Sequence, residues 1–182
     1  LFDFICETGI WPYLLRAKKA SLASYRMGQA IKALVAAPVT VFDVGANQGQ
    51  FAGAAAWWFP QCRIISFEPS PSVFPILKKN TANIPNIRLI QSALGERAGE
   101  LEFFENDYSH ASSALPVTEA QKALRPETAN VKKITVPVTT LDAFAAGQSW
   151  PEPVLLKLDV QGLEKRVLEG AGTFLRNVDY LL

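Results

Sequence analysis

Apolar positions along the chain follow two rhythms, and the change from one to the other marks out the elements. Residues 1–37 carry Trp11, Leu14, Leu15, Leu22 and Tyr25, then Met27, Ile31, Leu34 and Val35, at helix-like intervals. Pro12 suits a first helical turn and Pro38 stops the pattern. Val39–Val44 is then almost continuously apolar, as expected of a central parallel strand. Gly49 to about Phe59 reads as a crossover helix ended by Pro60, and Cys62–Phe67 as a second strand. Pro71 to about Ala82 gives a second helix, with Val73, Phe74 and Leu77 on its inner face. Ile87–Gln91 gives a third strand. Gly99–Glu105 and Lys132–Thr139 alternate in period two, through Leu101, Phe103, Ile134, Val136 and Val138, and predict an antiparallel pair. Thr140 is placed to cap a short helix, and Gly147–Pro153 links to a fourth strand, Val154–Leu158. Leu163–Ala171 predicts a helix with Leu163, Val167, Leu168 and Ala171 inward, and Val178–Leu182 begins a fifth strand. Strands alternating with helices predict an α/β sandwich, a mainly parallel sheet with helices on both faces. Residues 1–38 are a helical N-terminal extension on a domain spanning 39–182.

The first strand runs straight into the chemistry. Asp43 precedes Gly45-Ala46-Asn47-Gln48-Gly49, and the second strand ends on Glu68-Pro69. Glycines permit a tight turn and close approach of a ligand to the backbone. An acid closing the second strand can accept hydrogen bonds from both hydroxyls of a ribose. A dinucleotide site reads G-x-G-x-x-G, and this chain reads G-x-x-x-G instead. That spacing disfavours a nicotinamide enzyme. It suits S-adenosylmethionine, which has no pyrophosphate: Asp43 could meet its ammonium, and N–H groups of the turn and the following helix its carboxylate. The alternative is that the two glycines only shape a strand-to-helix turn.

Asp159 closes the fourth strand, and ligands in open α/β sheets bind at the carboxyl ends of strands. It therefore shares the crevice of Asp43 and Glu68. Lys157 lies two residues earlier, on the same side, able to pair with Asp159 or to reach a substrate. Asn106–Val131 is long for a loop in a compact domain, as lids often are. It holds Tyr108, Ser112 and the only histidine, His110, a candidate general base. The alternative for His110 is a plain surface residue. Trp57 and Trp58 read as packing residues.

Asp43-Val44-Gly45-Ala46-Asn47-Gln48-Gly49, Glu68-Pro69-Ser70-Pro71, Ser92-Ala93-Leu94-Gly95 and Lys157-Leu158-Asp159-Val160-Gln161-Gly162-Leu163-Glu164 occur in that order. Together they resemble the FkbM-type family of S-adenosylmethionine-dependent methyltransferases, over roughly residues 39–182. The resemblance implies a Rossmann-like methyltransferase fold, S-adenosyl-L-methionine as cofactor, and methyl transfer to a hydroxyl oxygen of a small molecule or a sugar. It places the amino acid end of the cofactor at Asp43, Gly45, Ala46, Asn47 and Gly49, the ribose at Glu68 and Pro69, and the adenine beside Ser92 and Ala93. It sets the insertion after the hairpin strand above the cofactor. A base such as His110 or Asp159 would assist loss of the hydroxyl proton, with Lys157 a further candidate. The family often has glutamate where this chain has Gln161, and an amide cannot act as a carboxylate base or a strong magnesium ligand; no metal is expected. The family's sheet normally continues for two more strands, so the chain is expected to be truncated at its C-terminus.

Composition narrows the alternatives. The 182 residues suit one domain, and a hydrophobic fraction of 49% supports a buried core. A net charge of +1 gives no electrostatic case for nucleic acid or membrane. No apolar run approaches the ~18 residues of a spanning helix. Cys6 and Cys62, far apart, fit free thiols in a reducing compartment, hence a cytoplasmic location, rather than a disulfide framework or a zinc site. A basic N-terminal helix resting on a membrane or partner is the alternative to one packed on the domain. The other functional class left open is a non-catalytic nucleoside-binding or scaffold module.

Overall fold

The computed structural model describes residues 10–17, 19–34, 37–106 and 131–182. Within them, helices α1 (Ile10–Arg16) and α2 (Leu22–Leu34) precede the alternating unit β1 (Thr40–Val44), α3 (Gln50–Trp58), β2 (Arg63–Phe67), α4 (Phe74–Asn80) and β3 (Ile87–Ile90). Then come β4 (Ala93–Leu94), β5 (Gly99–Asn106), β6 (Val131–Thr139) and α5 (Leu141–Ala145). The chain closes with β7 (Val154–Leu158), α6 (Glu164–Glu169), a 3₁₀ turn at Phe174–Asn177, and β8 (Tyr180–Leu181). The parallel sheet runs β3-β2-β1-β7-β8. The chain builds outward from β1 to β3 and then returns to the other side of β1, so the strand order reverses between β1 and β7. Helices cover both faces, the α/β architecture the strand and helix rhythm predicts.

Every residue of β1 is buried, as its continuous apolar character requires of a strand covered on both faces. On one face Phe42, Val44, Ile65, Phe67 and Leu156 pack against Leu141 of α5, Val167 of α6 and Phe174. On the other, Val41, Ile64 and Leu155 pack against Phe51, Ala52 and Ala55 of α3. The polar residues of β1 are each partnered. The Thr40 hydroxyl donates to the Pro151 carbonyl at 2.7 Å, and Asp43 faces Lys157 across the ladder.

α2 packs on α3 through aromatic rings. Tyr13, Tyr25, Trp57 and Trp58 form a contiguous cluster, and the Trp58 indole N–H donates to the Tyr25 carbonyl at 2.9 Å. Trp57 and Trp58 are therefore packing residues. Gly28 lets the indole in: a Cβ there would lie 2.3 Å from Trp58 Cδ1. The inward stripe differs from the one read in the sequence. Ile10, Tyr13, Tyr25 and Ile31 are buried, whereas Trp11, Leu14, Leu15 and Leu34 are exposed. Rings of Tyr13 and Tyr25 reach Trp57 and Trp58 from a helix face that aliphatic spacing alone does not mark.

The antiparallel pair forms as the alternation predicts, with Leu101 opposite Val136 and Phe103 opposite Ile134. Ala93-Leu94, which the hydrophobic pattern did not mark as a strand, forms a short parallel strand against Val138-Thr139. This makes a second sheet, β4-β6-β5, with Ala93, Phe103 and Val136 as its core. The Ser92 hydroxyl donates to the carbonyls of Pro137 and Ala93, at 3.0 and 2.9 Å, and locks that strand in place. Thr140 caps α5 as its side chain suggests, accepting from Ala143 N at 3.0 Å. Thr140→Ala should lower unfolding stability by about 1 kcal/mol, measurable as a shifted urea midpoint with unchanged slope.

Candidate functional site

The carboxyl ends of β1, β2 and β7 open into a cavity of about 260 Å³. It lies where the strand order reverses, the position at which open α/β sheets bind ligands. Gly45, Ala46, Asn47, Glu68, Pro69, Ser92, Ala93, Lys157 and Asp159 all line it. Gly49 supports it from behind: a Cβ there would lie 2.9 Å from Thr81 Cγ2 and 3.0 Å from Leu77 Cδ1, so its bare backbone lets α3 settle on α4. His110, Tyr108 and Ser112 lie outside the described residues.

Glu68 organises the turn. The carboxylate is buried; one oxygen accepts from Asn47 N and the other from Ser70 N, both at 2.9 Å. Each oxygen keeps a second lone pair. Burial pushes this carboxyl up to about 7, against the pull of the Ser70 and Asn47 N–H bonds; Asp43 raises it further and Lys157 lowers it. Ser70 also ties the loop to the hairpin. Its hydroxyl donates to Glu105 of β5, and the Ser72 hydroxyl donates to the same oxygen at 2.8 Å.

The turn itself is held from inside. Gly45 N and Ala46 N donate to the Phe67 carbonyl, and Gly49 N to the Ala46 carbonyl. With Asn47 N on Glu68, four N–H groups that the sequence suggested for a ligand carboxylate are engaged within the chain. The start of α3 at Gly49 has no side-chain cap, and a helix N-terminus of this kind favours an anion.

Asp43 and Lys157 form a buried pair. Lys157 Nζ is 2.9 Å from Asp43 Oδ1, an ion pair rather than a well-aligned hydrogen bond. It also donates to the carbonyls of Gly45 at 3.0 Å and Val44 at 3.4 Å. The Ser66 hydroxyl reaches the other Asp43 oxygen at 3.4 Å. The sequence set Lys157 toward Asp159 or a substrate and Asp43 toward a ligand ammonium. In the folded chain Asp43 meets the lysine's ammonium, and both brace the turn. Asp159 lies 3.9 Å from Lys157, with its side chain 58% exposed. The Gln161 amide donates to it at 2.9 Å. Glu164 folds back under this segment, its carboxylate accepting from Val160 N and Gly162 N. Partial burial works against ionisation there, but the N–H groups of Glu164, Gly162, Val160 and Gln161 outweigh it and hold the carboxyl below its ordinary value.

Other walls come from residues the motifs did not flag. Ser21, Ser24 and Met27 of the α2 region close one side, and Phe51 and Phe103 supply apolar surface. Phe103 was legible only as a hairpin core position; Ser21 precedes α2, and its hydroxyl accepts from Ser24 N at 3.2 Å. Among the described residues no group of three or more His, Cys, Asp or Glu side chains converges as a metal site.

A buried acid at the end of β2 thus stands beside a glycine turn at the switch point of the sheet. The chain is 23% identical over 143 residues to the hexuronic acid methyltransferase AglP of Haloferax volcanii, covering 78% of this chain and 54% of that one. It is 22% identical over 162 residues to the 2-O-methyltransferase NoeI of Sinorhizobium fredii, covering 86% and 66%. It thus spans about half to two-thirds of the length of these curated relatives. Among solved structures, the precorrin-6y C5,15-methyltransferase of Geobacter metallireducens aligns over 90% of this chain and 61% of its own, at 13% identity and a TM-score of 0.45. The family model described as the methyltransferase FkbM domain matches residues 43–182; the chain belongs to the FkbM methyltransferase family.

Proposed function

We propose that this chain binds S-adenosylmethionine in the β1–β2–β7 crevice and transfers its methyl group to a hydroxyl oxygen of a small molecule or sugar. The observation that carries the reading is Glu68: a buried carboxylate, oriented by two backbone N–H groups, with a free lone pair on each oxygen at the wall of the cavity. That is the acceptor pattern a ribose diol requires. Family membership supports the reaction class, and the relatives named for hexuronic acid and 2-O-methylation support a saccharide hydroxyl as acceptor.

When bound, the cofactor supplies an already activated methyl group. What the protein adds is alignment and a place for the proton. Glu68 would hold the ribose. The backbone of Gly45, Ala46 and Asn47, braced by Lys157 and Asp43, would form the floor under the amino acid end, and the uncapped start of α3 would favour its carboxylate. Pro69, Ser92 and Ala93 would border the adenine. Asp159, open to the cavity and steadied by Gln161, would take the acceptor's proton; His110 is the second candidate for that role. Among the described residues no helix is long and apolar enough to cross a membrane. Cys62 is a buried free thiol that burial pushes up to about 12, with its own backbone bond pulling it down, an inert group that suits the reducing cytoplasm we assign to this chain.

The test is methyl transfer to hexoses and hexuronic acids, followed with labelled S-adenosylmethionine. Asp159→Asn keeps the Gln161 contact but removes the base. It should cut turnover by about 10²–10⁴-fold while cofactor affinity stays within a factor of about three. Unchanged turnover would take Asp159 out of the mechanism, and a folded wild type that methylates no sugar hydroxyl would remove the saccharide assignment.

A further inference from the structure

The loop after β2 holds Glu68 through a chain of hydrogen bonds that begins outside the crevice. In Glu68-Pro69-Ser70-Pro71-Ser72 the two prolines carry no N–H, so Ser70 supplies the one backbone donor between Glu68 and Ser72. That N–H donates to Glu68 Oε1, while Asn47 N donates to Oε2, both at 2.9 Å. One N–H would fix one oxygen and leave the carboxylate free to turn about it. Two N–H groups on separate segments fix its plane, and with it the direction of the remaining lone pairs.

Ser70 is itself wholly buried, so its hydroxyl proton needs an acceptor. The hydroxyl oxygen already accepts from Val73 N at 3.1 Å. Its proton goes to Glu105 Oε1 on β5, and the Ser72 hydroxyl and N–H donate to that same oxygen at 2.8 and 3.4 Å. The other acceptor within reach, Ser72 Oγ at 3.2 Å, is neutral, and a charged acceptor makes the stronger bond. Partial burial works against ionisation of Glu105. The Ser70 and Ser72 hydroxyls, the Ser72 N–H and the charge of Lys132 outweigh it and hold the carboxyl below its ordinary value. Lys132 stands opposite Glu105 in the β5–β6 ladder. Glu105 is not among the described residues that line the crevice.

We propose that Glu105 is a positioning residue for cofactor binding: through Ser70 it sets the angle at which Glu68 meets the ribose. The assignment rests on the ribose reading of Glu68. The influence runs through the Ser70 hydroxyl rather than through charge, since the charges that act on Glu68 are those of Asp43 on β1 and Lys157 on β7. Glu105→Gln therefore keeps an oxygen acceptor for both serine hydroxyls, and Glu105→Ala removes it. Glu105 is partly exposed, so both variants should fold.

The experiment compares the two variants with wild type in two readouts. In calorimetric titration with S-adenosylhomocysteine at pH 8, Glu105→Ala should weaken binding about tenfold, and Glu105→Gln should stay within a factor of about three of wild type. The second readout, ¹³C NMR of the Glu68 carboxyl assigned by its loss in Glu68→Gln, needs no cofactor. Its titration midpoint should rise by about half a pH unit in Glu105→Ala, because the Ser70 N–H that favours the ionised form is then less well aimed. Glu105→Gln should leave the midpoint unchanged. Ser70→Ala should reproduce Glu105→Ala, and combining the two should add nothing further. Wild-type affinity and midpoint in Glu105→Ala, or equal losses in Glu105→Ala and Glu105→Gln, would overturn the proposal. A wild type that binds no S-adenosylhomocysteine would remove the ribose reading instead, and the midpoints alone would then decide whether Glu105 positions Glu68.

Discussion

Gly45→Ala should cost about 3–5 kcal/mol of unfolding stability, the largest loss expected from any single methyl group in this chain. Gly45 sits at φ +79°, where an L side chain is strained, and a Cβ there would lie 2.0 Å from the Asp159 carbonyl oxygen. That oxygen belongs to backbone and cannot swing aside: Asp159 N is itself bonded to the Val44 carbonyl at 3.0 Å. Relief would require β1 and β7 to part at their carboxyl ends. The motion would pull Lys157 from the Gly45 carbonyl and loosen the buried pair with Asp43. Thermal unfolding should show a fall in melting temperature of about 10 °C. An unchanged melting temperature would mean that the strand ends do not approach as described.

Glu68→Ala should reduce affinity for S-adenosylhomocysteine at least about 100-fold at pH 8, since two hydrogen bonds to an ionised carboxylate contribute roughly 1.5–3 kcal/mol each. Titration calorimetry measures this directly, and affinity within a factor of about three of wild type would refute the ribose assignment. The pH dependence has a definite sign. The folded carboxyl sits at about 7 because of burial, moderated by its two N–H bonds, above an unfolded value of ~4.3. Between these values the folded state holds the extra proton. Glu68 therefore contributes stability that is full below about pH 4 and is lost as pH rises through about 7, at most about 4 kcal/mol in all. Cofactor binding runs the other way, because ribose hydroxyls donate best to the ionised form. Affinity for S-adenosylhomocysteine should rise with pH up to about 7 and then level off. An affinity flat from pH 5.5 to 8 would indicate that Glu68 does not titrate in the site.

The framework was legible because it depends on neighbours in sequence. The apolar run of β1, the capping hydroxyl of Thr140 and the alternation of Leu101 and Phe103 each act within a few residues of themselves. What escaped depends on which strands lie side by side. Lys157 meets Asp43 because β7 pairs with β1, a fact of strand order that spacing from Asp159 does not contain. The turn N–H groups could be expected to face a ligand until Glu68 and the Phe67 carbonyl were seen to take them. Ala93-Leu94 became a strand only because β6 returns alongside it, and Ser92 was thereby drawn to the Pro137 carbonyl. The α2 wall of Ser21, Ser24 and Met27 likewise follows from the fit of Tyr13 and Tyr25 on Trp57 and Trp58, a match of ring shapes across separate helices.

The measurement that bears most directly on the account is calorimetric titration of the wild-type chain with S-adenosylhomocysteine at pH 8, with NAD as the parallel ligand. The chain should show a single saturating site for S-adenosylhomocysteine and no heat of binding for NAD. A folded chain that binds NAD in preference, or binds neither, would contradict it.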